Sequence, residues 1–347
     1  MSRTHRSVVN WRPPVTSSSE GLTADFALAR FSVGEGKPQL GLVAAGRIRP
    51  LSSEELGADS LNDFLAGAPA SWDRVAELAQ TSASASDDSA WLALDDVTLE
   101  APVEPRQVLQ TGANYRTHVI DLVAAGRAKN DPRPIEELRE WAAEMMDARA
   151  RDGEPYFFIG LPTAVAGVDA ELELPGYSDQ HDWELELAVV IGKRAHRVSR
   201  EDALDHVAGY TIVNDISTRD LIFRKDMKEI GTDWYRGKNA PGFLPTGPFL
   251  VPAQFVTDPH SLTLKLTLNG DTMQDAVTDD LLFDIPALIS AASENMPLLP
   301  GDLLLTGSPA GNGIVHGRLL RDGDVMVSVI EGLGTQTTKV RAEAVPS

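Results

Sequence analysis

The chain has 347 residues, with Lys+Arg 31 against Asp+Glu 51, a formal net charge of −20 and no cysteine. So acidic a balance argues against nucleic acid and anionic membrane surfaces as partners, and the absence of thiols excludes disulfides, thiolate nucleophiles and zinc–thiolate sites. No run nears the roughly 18 apolar residues of a membrane span and Met1–Glu20 lacks a signal-peptide core, so a soluble cytoplasmic protein is expected.

In chain order, residues 1–20 offer little to bury, with Pro13-Pro14 and Ser17-Ser18-Ser19, and are expected to be poorly ordered. Between Ala24 and Pro50, short apolar stretches split by Gly34–Pro38 predict a small antiparallel meander. Leu61, Phe64, Leu65, Val75 and Leu78 predict helix over 57–80, and Thr81–Ser89 reads as a Ser/Ala/Asp linker. Pro102 and Pro105 place a boundary near residue 104, between a small N-terminal α+β domain (21–104) and a larger domain (105–347).

The larger domain opens with a strand at Gln107–Gln110 and a glycine turn into a helix over 117–125. On that helix His118 and Asp121 stand three apart, so the carboxylate is placed to hold the imidazole as a general base; a surface histidine beside an unrelated acid is the plainer alternative. Leu138, Trp141, Met145 and Met146 predict a packing stripe on a helix over Ile135–Arg149. Lying between two site-like stretches, residues 126–155 also suit a mobile lid. Pro155–Ile159 is an aromatic strand ending at Gly160.

Most of the chemistry falls in His181–Gly192. Leu185–Ile191 reads as a buried strand, and alternation puts Glu184 and Glu186 together on one face. Two carboxylates turned toward a dry interior are costly unless a hard divalent cation (magnesium, calcium or manganese) joins them. An earlier copy, Glu171-Leu172-Glu173-Leu174, stops at Pro175-Gly176 and reads as a half-exposed strand with a solvated acidic face. Ser199–His206 predicts a capped helix. Val207–Val213 predicts a second buried strand, which delivers Asp215 as a third ligand at its polar end.

Arg219, one helical turn on, suits a substrate carboxylate, or else an ion pair with Asp215 or Asp220. Lys238, alone in the turn-rich stretch Trp234–Pro248, would stabilise an oxyanion beside a metal; a lone loop lysine is otherwise solvated. Asn269-Gly270 marks a hairpin over 262–275, followed by an amphipathic helix at Phe283–Ala292 and a strand at Leu303–Thr306. The loop Thr306–Gly313 can present backbone N–H groups to an anion. Dinucleotide-binding, phosphate-loop, serine-elbow and zinc-protease motifs are all missing.

Over roughly residues 105–343 these blocks, in this order, resemble the fumarylacetoacetate hydrolase family: Gly112–Asp121, Asp182–Gly192, Val207–Asp220, Lys238–Pro248, Leu268–Gly270 and Pro300–Gly311. The resemblance implies a mixed α+β fold, mainly β, with a C-terminal domain of mixed β-sheets rolled around the active site, and a homodimer. It implies Mg2+ or Mn2+ on Glu184, Glu186 and Asp215. It also implies His118 and Asp121 in place of the family's His–Glu dyad, with Tyr115, Arg219, Lys238 and Thr306 around the substrate. Gly160, Ile222 and Pro241 stand where many members carry Lys, Gln and Asp, so the expected substrate is less anionic than the dicarboxylic acids many members use. The chemistry implied is metal-dependent hydrolysis of a C–C bond in a small keto acid, a 2,4-dioxo acid or related 1,3-diketone, through an enolate. Isomerisation or decarboxylation at the same site, or non-catalytic binding of a 2-oxo acid, are the alternatives.

Overall fold

In the computed structural model, which describes residues 17–84, 89–128 and 130–344, the apolar run after Glu184 forms the strand Leu185–Ile191, buried at every position. It pairs antiparallel with Val207–Asn214 on one side and Leu303–Leu305 on the other. The result is a six-stranded mixed sheet in the order Val251–Pro252, Val207–Asn214, Leu185–Ile191, Leu303–Leu305, Val108–Gly112, Tyr156–Gly160. A five-stranded sheet follows the order Asp271–Val277, Thr263–Leu268, Val325–Ile330, Thr335–Ala342, Leu172–Leu174. Its hairpin turns at Asn269 and Gly270, whose φ angles of 53 and 92 suit the two-residue turn expected there. Glu171 and Glu173 beside Leu172–Leu174 pair with Arg341 near solvent, as the half-exposed reading of that stretch predicts.

A second five-stranded sheet, all antiparallel, runs Leu92–Ala93, Arg47–Pro50, Gln39–Ala44, Ala27–Ser32, Thr98–Glu100. The expected meander is its centre. The helix expected over 57–80 is broken into two, Leu61–Ala66 and Ala70–Ser84, and a short helix, Ser53–Leu56, precedes them. Gly57, in the left-handed region at φ 71, closes the short one, and Gly67-Ala68-Pro69 separates the other two. The stretch read as a linker thus begins as helix, and residues 85–88 of it lie outside the described residues. Residues 17–20, expected to be poorly ordered, are stitched to the C-terminal strand: Thr335 donates from its N–H to the Ser18 carbonyl and from its hydroxyl to the Glu20 carbonyl. The remainder of that expectation, residues 1–16, lies outside the described residues.

These N-terminal elements share their core with the six-stranded sheet. Phe26, Leu28, Phe64 and Trp72 pack with Val108, Ala188, Val190 and Ala208. Trp72 is 1% exposed, meets Phe64 edge-on at 4.9 Å and donates its indole N–H to the Ala208 carbonyl at 3.0 Å.

The helices Arg116–Ala128 and Ile135–Asp152 form a pair with a small core of Val119, Ile120, Ala142 and Met146. Met145, expected in the packing stripe, faces outward. The helix expected at Ser199–His206 shrinks to a 3-10 turn, Ala203–His206, although Ser199 and Asp202 still cap one another. Among the described residues no helix is long and apolar enough to cross a membrane. Trp72→Ala should remove the contact between the N-terminal helices and the sheet and destabilise the protein by about 3–5 kcal/mol; urea unfolding checks this.

Candidate metal centre

Strand register builds the site. Leu185 lies opposite Asn214, which puts Glu184 opposite Asp215. The Asp215 N–H donates to the Glu184 carbonyl at 2.8 Å, and the Glu184 N–H donates to Asn214 Oδ1 at 2.8 Å. Alternation returns Glu186 to the same face. One carboxylate oxygen from each of Glu184, Glu186 and Asp215 lies within 4.8 Å of the others, so the three acids converge as the sequence predicts.

Lys238 is a helix residue, not a loop one: it ends the short helix Trp234–Lys238 and is 1% exposed. Its ammonium donates to Glu184 Oε2 at 2.5 Å and to Asp215 Oδ2 at 2.6 Å. Arg219 donates from Nε to Asp182 Oδ2 at 2.7 Å and pairs through Nη1 with Glu184 Oε1 at 2.8 Å. Neither of its expected protein partners, Asp215 and Asp220, is used, and two of its donors are filled by the chain's own acids rather than left open to a substrate.

Sequence reasoning misses Asp182, although it precedes Glu184 by two residues. It is fully buried and also accepts from the backbone N–H groups of Gly313 and Ile314. It misses Gln110 as well, a fully buried side chain whose amide donates to Asp215 Oδ1 at 2.5 Å. A long polar side chain within a buried strand was the available signal.

The Thr306 loop presents an N–H to an anion, but to an internal one: Gly307 N–H donates to Glu186 Oε2 at 2.7 Å. Thr306 itself is buried and donates its hydroxyl to the Leu187 carbonyl at 3.0 Å, bracing backbone. Tyr115 is fully buried and its hydroxyl has no hydrogen-bond partner among the described residues; burial, reinforced by Glu186, raises its pKa.

His118 and Asp121 lie on the helix Arg116–Ala128, but they do not form the expected hydrogen-bonded dyad. Asp121 pairs with Arg139 of the facing helix at 2.8 Å, and among the described residues no hydrogen bond joins it to His118. A guanidinium is the stronger partner for a carboxylate than a neutral imidazole. Burial lowers the His118 pKa, Glu184 opposes that shift and Arg219 adds to it.

Burial disfavours every charge in the cluster, and the neighbours decide the outcome. Glu184 resists burial because Lys238 and Arg219 hold it down to about 2. Glu186 is raised well above the usual carboxylate range by burial together with Asp215 and Glu184. Asp215 rises to about 6: burial outweighs the pull of Lys238, and Glu184 adds to it. Lys238 stays charged, since Asp215 and Glu184 overcome its own burial. With Asp182 included, four carboxylates face two cations, Lys238 and Arg219. With all four ionised, two negative charges would be left uncompensated, which one dication would neutralise, and the donors are hard oxygens, so these residues fit a divalent ion such as magnesium or manganese.

Mixed β-sheets here gather three carboxylates at the ends of neighbouring buried strands, a group that could hold a metal ion. The Fumarylacetoacetate (FAA) hydrolase C-terminal model matches residues 107–341, and the chain belongs to this family. A mitochondrial oxaloacetate tautomerase from Xenopus laevis is 34% identical over 265 residues, 75% of this chain and 74% of that protein. The 2,4-didehydro-3-deoxy-L-rhamnonate hydrolase of Sphingomonas sp. (strain SKA58) is 42% identical over 192 residues, 54% of this chain and 65% of that one. Maleylpyruvate hydrolase from Sphingobium sp. SYK-6, solved with manganese(II) and pyruvate, superposes with a TM-score of 0.66 at 28% identity, covering 92% of this chain and 100% of that chain.

The raised pKa of Glu186 sets a sign for stability. Above its ordinary value of 4.5 the unfolded chain releases this proton while the folded, metal-free protein retains it. In chelator, Glu186→Gln should therefore become progressively more stable than the parent as pH rises above about 4.5, by up to about 1.4 kcal/mol per pH unit. Excess Mn2+ should reverse the order. Melts at stepped pH test this, and parallel curves for the two proteins in chelator would contradict it.

Proposed function

We propose that this protein is a divalent-metal-dependent hydrolase that cleaves a C–C bond of a 2,4-dioxo acid or related 1,3-diketone. The observation that carries the reading is His118, a largely buried imidazole kept neutral by burial, with Glu184 the strongest charge acting on it. A neutral imidazole at the edge of an acidic cluster is a competent general base near neutral pH. Glu184, Glu186 and Asp215 would hold Mg2+ or Mn2+. When bound, the ion supplies Lewis acidity to adjacent oxygens of the keto acid.

The chain's own groups then divide the work. His118 takes a proton from the water that attacks the carbonyl. Lys238 acts as a fixed positive charge for the developing oxyanion, because Asp215 and Glu184 keep its proton in place. Tyr115, a neutral and unpartnered donor, is available to a substrate oxygen. Arg219 holds Glu184 in position from behind. The names of the two hydrolases among the relatives support hydrolysis, and the manganese and pyruvate of one support the ion and a 2-oxo-acid fragment. Ile222, buried against Gly237, and the small Gly160 support a substrate less anionic than a dicarboxylate.

One observation favours a second reading, a tautomerase or isomerase. With Asp121 turned to Arg139, His118 lacks the carboxylate that would orient it for water activation. Moving a proton between carbon and oxygen needs no positioned water, and one relative is named a tautomerase of oxaloacetate.

His118→Ala should lower kcat by about 10²–10⁴-fold while leaving the Mn2+ affinity seen by calorimetry unchanged. Asp121→Asn should have a smaller effect than His118→Ala, since its carboxylate does not hold the ring. NMR of the products decides the reaction: hydrolysis gives two organic fragments, whereas turnover without fragmentation selects the second reading. A panel in which dicarboxylates outperform every monocarboxylate would overturn the substrate preference.

A further inference from the structure

Gln110 does something that neither the acidic triad nor the two cations account for. It lies on the strand Val108–Gly112, separated from Val207–Asn214 by two intervening strands of the six-stranded sheet, yet its amide reaches Asp215 just beyond the end of Val207–Asn214. The side chain is fully buried. Its orientation follows from chemistry, because an amide oxygen turned to a carboxylate would be repelled while the NH2 group is attracted. The consequence is that Gln110 Oε1 has no hydrogen-bond partner among the described residues. A buried acceptor left unsatisfied carries a penalty, so the contact at the other end of the amide must repay it.

The space around that oxygen is equally specific. Gly160 lies across from Val108 on the neighbouring strand, in extended backbone that any residue can adopt. A Cβ on Gly160 would lie 2.6 Å from Gln110 Oε1, 3.1 Å from Gln110 Cδ and 3.1 Å from Val108 Cγ1. A side chain at 160 would therefore have to displace the Gln110 amide, a limit of space and not of conformation. The space Gly160 leaves is filled by the amide that holds Asp215.

We propose that Gln110 and Gly160 form a matched pair: Gln110 is a positioning residue for the carboxylate of Asp215, and Gly160 is the position that lets its amide stand there. Lys238 holds Asp215 Oδ2 and Gln110 holds Oδ1, so the side chain is fixed at both oxygens. Gln110 does this without a charge. It fixes the direction of the ligand and leaves the negative charge to the cation, the usual task of a group hydrogen-bonded to a metal ligand. The inference rests on the proposed metal-binding role of Asp215.

The test is calorimetric titration of Mn2+ into the metal-stripped, full-length protein, with Glu186→Gln as the control for the site itself. Gln110→Met keeps the volume and removes the donor. It should weaken Mn2+ binding by about 10–100-fold, as should Gly160→Ala, which displaces the amide. Combined with Gln110→Ala, Gly160→Ala should add little, since its effect acts through the side chain already removed. Binding by Gln110→Met equal to the parent's overturns the proposal, as does a Gly160→Ala loss that persists undiminished in the Gln110→Ala background. The two arms are read independently, so a failure of Gln110→Met to fold leaves the Gly160→Ala comparison decisive. Equal Mn2+ titrations for the parent and Glu186→Gln would instead overturn the metal reading, and this inference with it.

Discussion

Glu184 faces Asp215 across one antiparallel strand pair, and the rest of the molecule answers to that juxtaposition. Like charges directly opposite one another destabilise a sheet, and here they lie among fully buried neighbours where charge is hardest to hold. The structure resolves this by inserting Lys238 between the two carboxylates and setting Arg219 behind Glu184. Each cation arrives on an element of its own. Lys238 comes at the end of the helix Trp234–Lys238, capped by Asp233, and Arg219 comes directly after the short strand Ser217–Thr218, which pairs with His181–Asp182. Among the described residues Glu186 pairs with no cation and accepts only from the Gly307 N–H. It is therefore the acid with the strongest electrostatic demand for a bound ion.

Two kinds of support meet at this site. The acids stand on or at the ends of central strands whose neighbours are buried on both faces, and Trp72 and Phe64 extend that packing into the N-terminal helices. Groups placed on such strands are held with little play. His118 is held differently. Its helix meets the body through Asp280, which accepts from the Thr117 N–H and hydroxyl, and the facing helix is tied to the turn before it by Arg149, which donates to the Ala113 carbonyl.

What the sequence revealed follows the same division. Local periodicity was enough for the strand Leu185–Ile191, for the convergence of Glu184, Glu186 and Asp215, and for the Asn269-Gly270 hairpin, because each depends on alternation or on a turn with its own conformational signature. Partners supplied by other elements were not legible. Spacing put His118 and Asp121 on one helix, but Arg139 from the next helix claimed the carboxylate. Arg219 had nearby acids to choose from in sequence, and took Asp182 and Glu184, which its strand pairing brings close. For Lys238 the sequence left a loop residue beside a metal and a solvated lysine both open, because its burial is decided by Phe158, Glu184 and Asp215, all distant in the chain. Gln110 passed as one polar residue in a strand, since nothing local marks the space that Gly160 leaves for it.

The helix pair that bears His118 adds ion pairs near water to its small apolar core. Arg116 with Asp147 and Arg139 with Asp121 are its cross-helix ion pairs, and each side chain is at least 40% exposed. Exposed pairs of this kind contribute about 0–1 kcal/mol each and weaken as dissolved ions screen them. The acids and the buried lysine lie beyond the reach of such screening. Ionic strength therefore acts selectively on this protein, weakening the ion pairs at the rim of the element that bears the imidazole while its apolar core and the carboxylate cage keep their geometry.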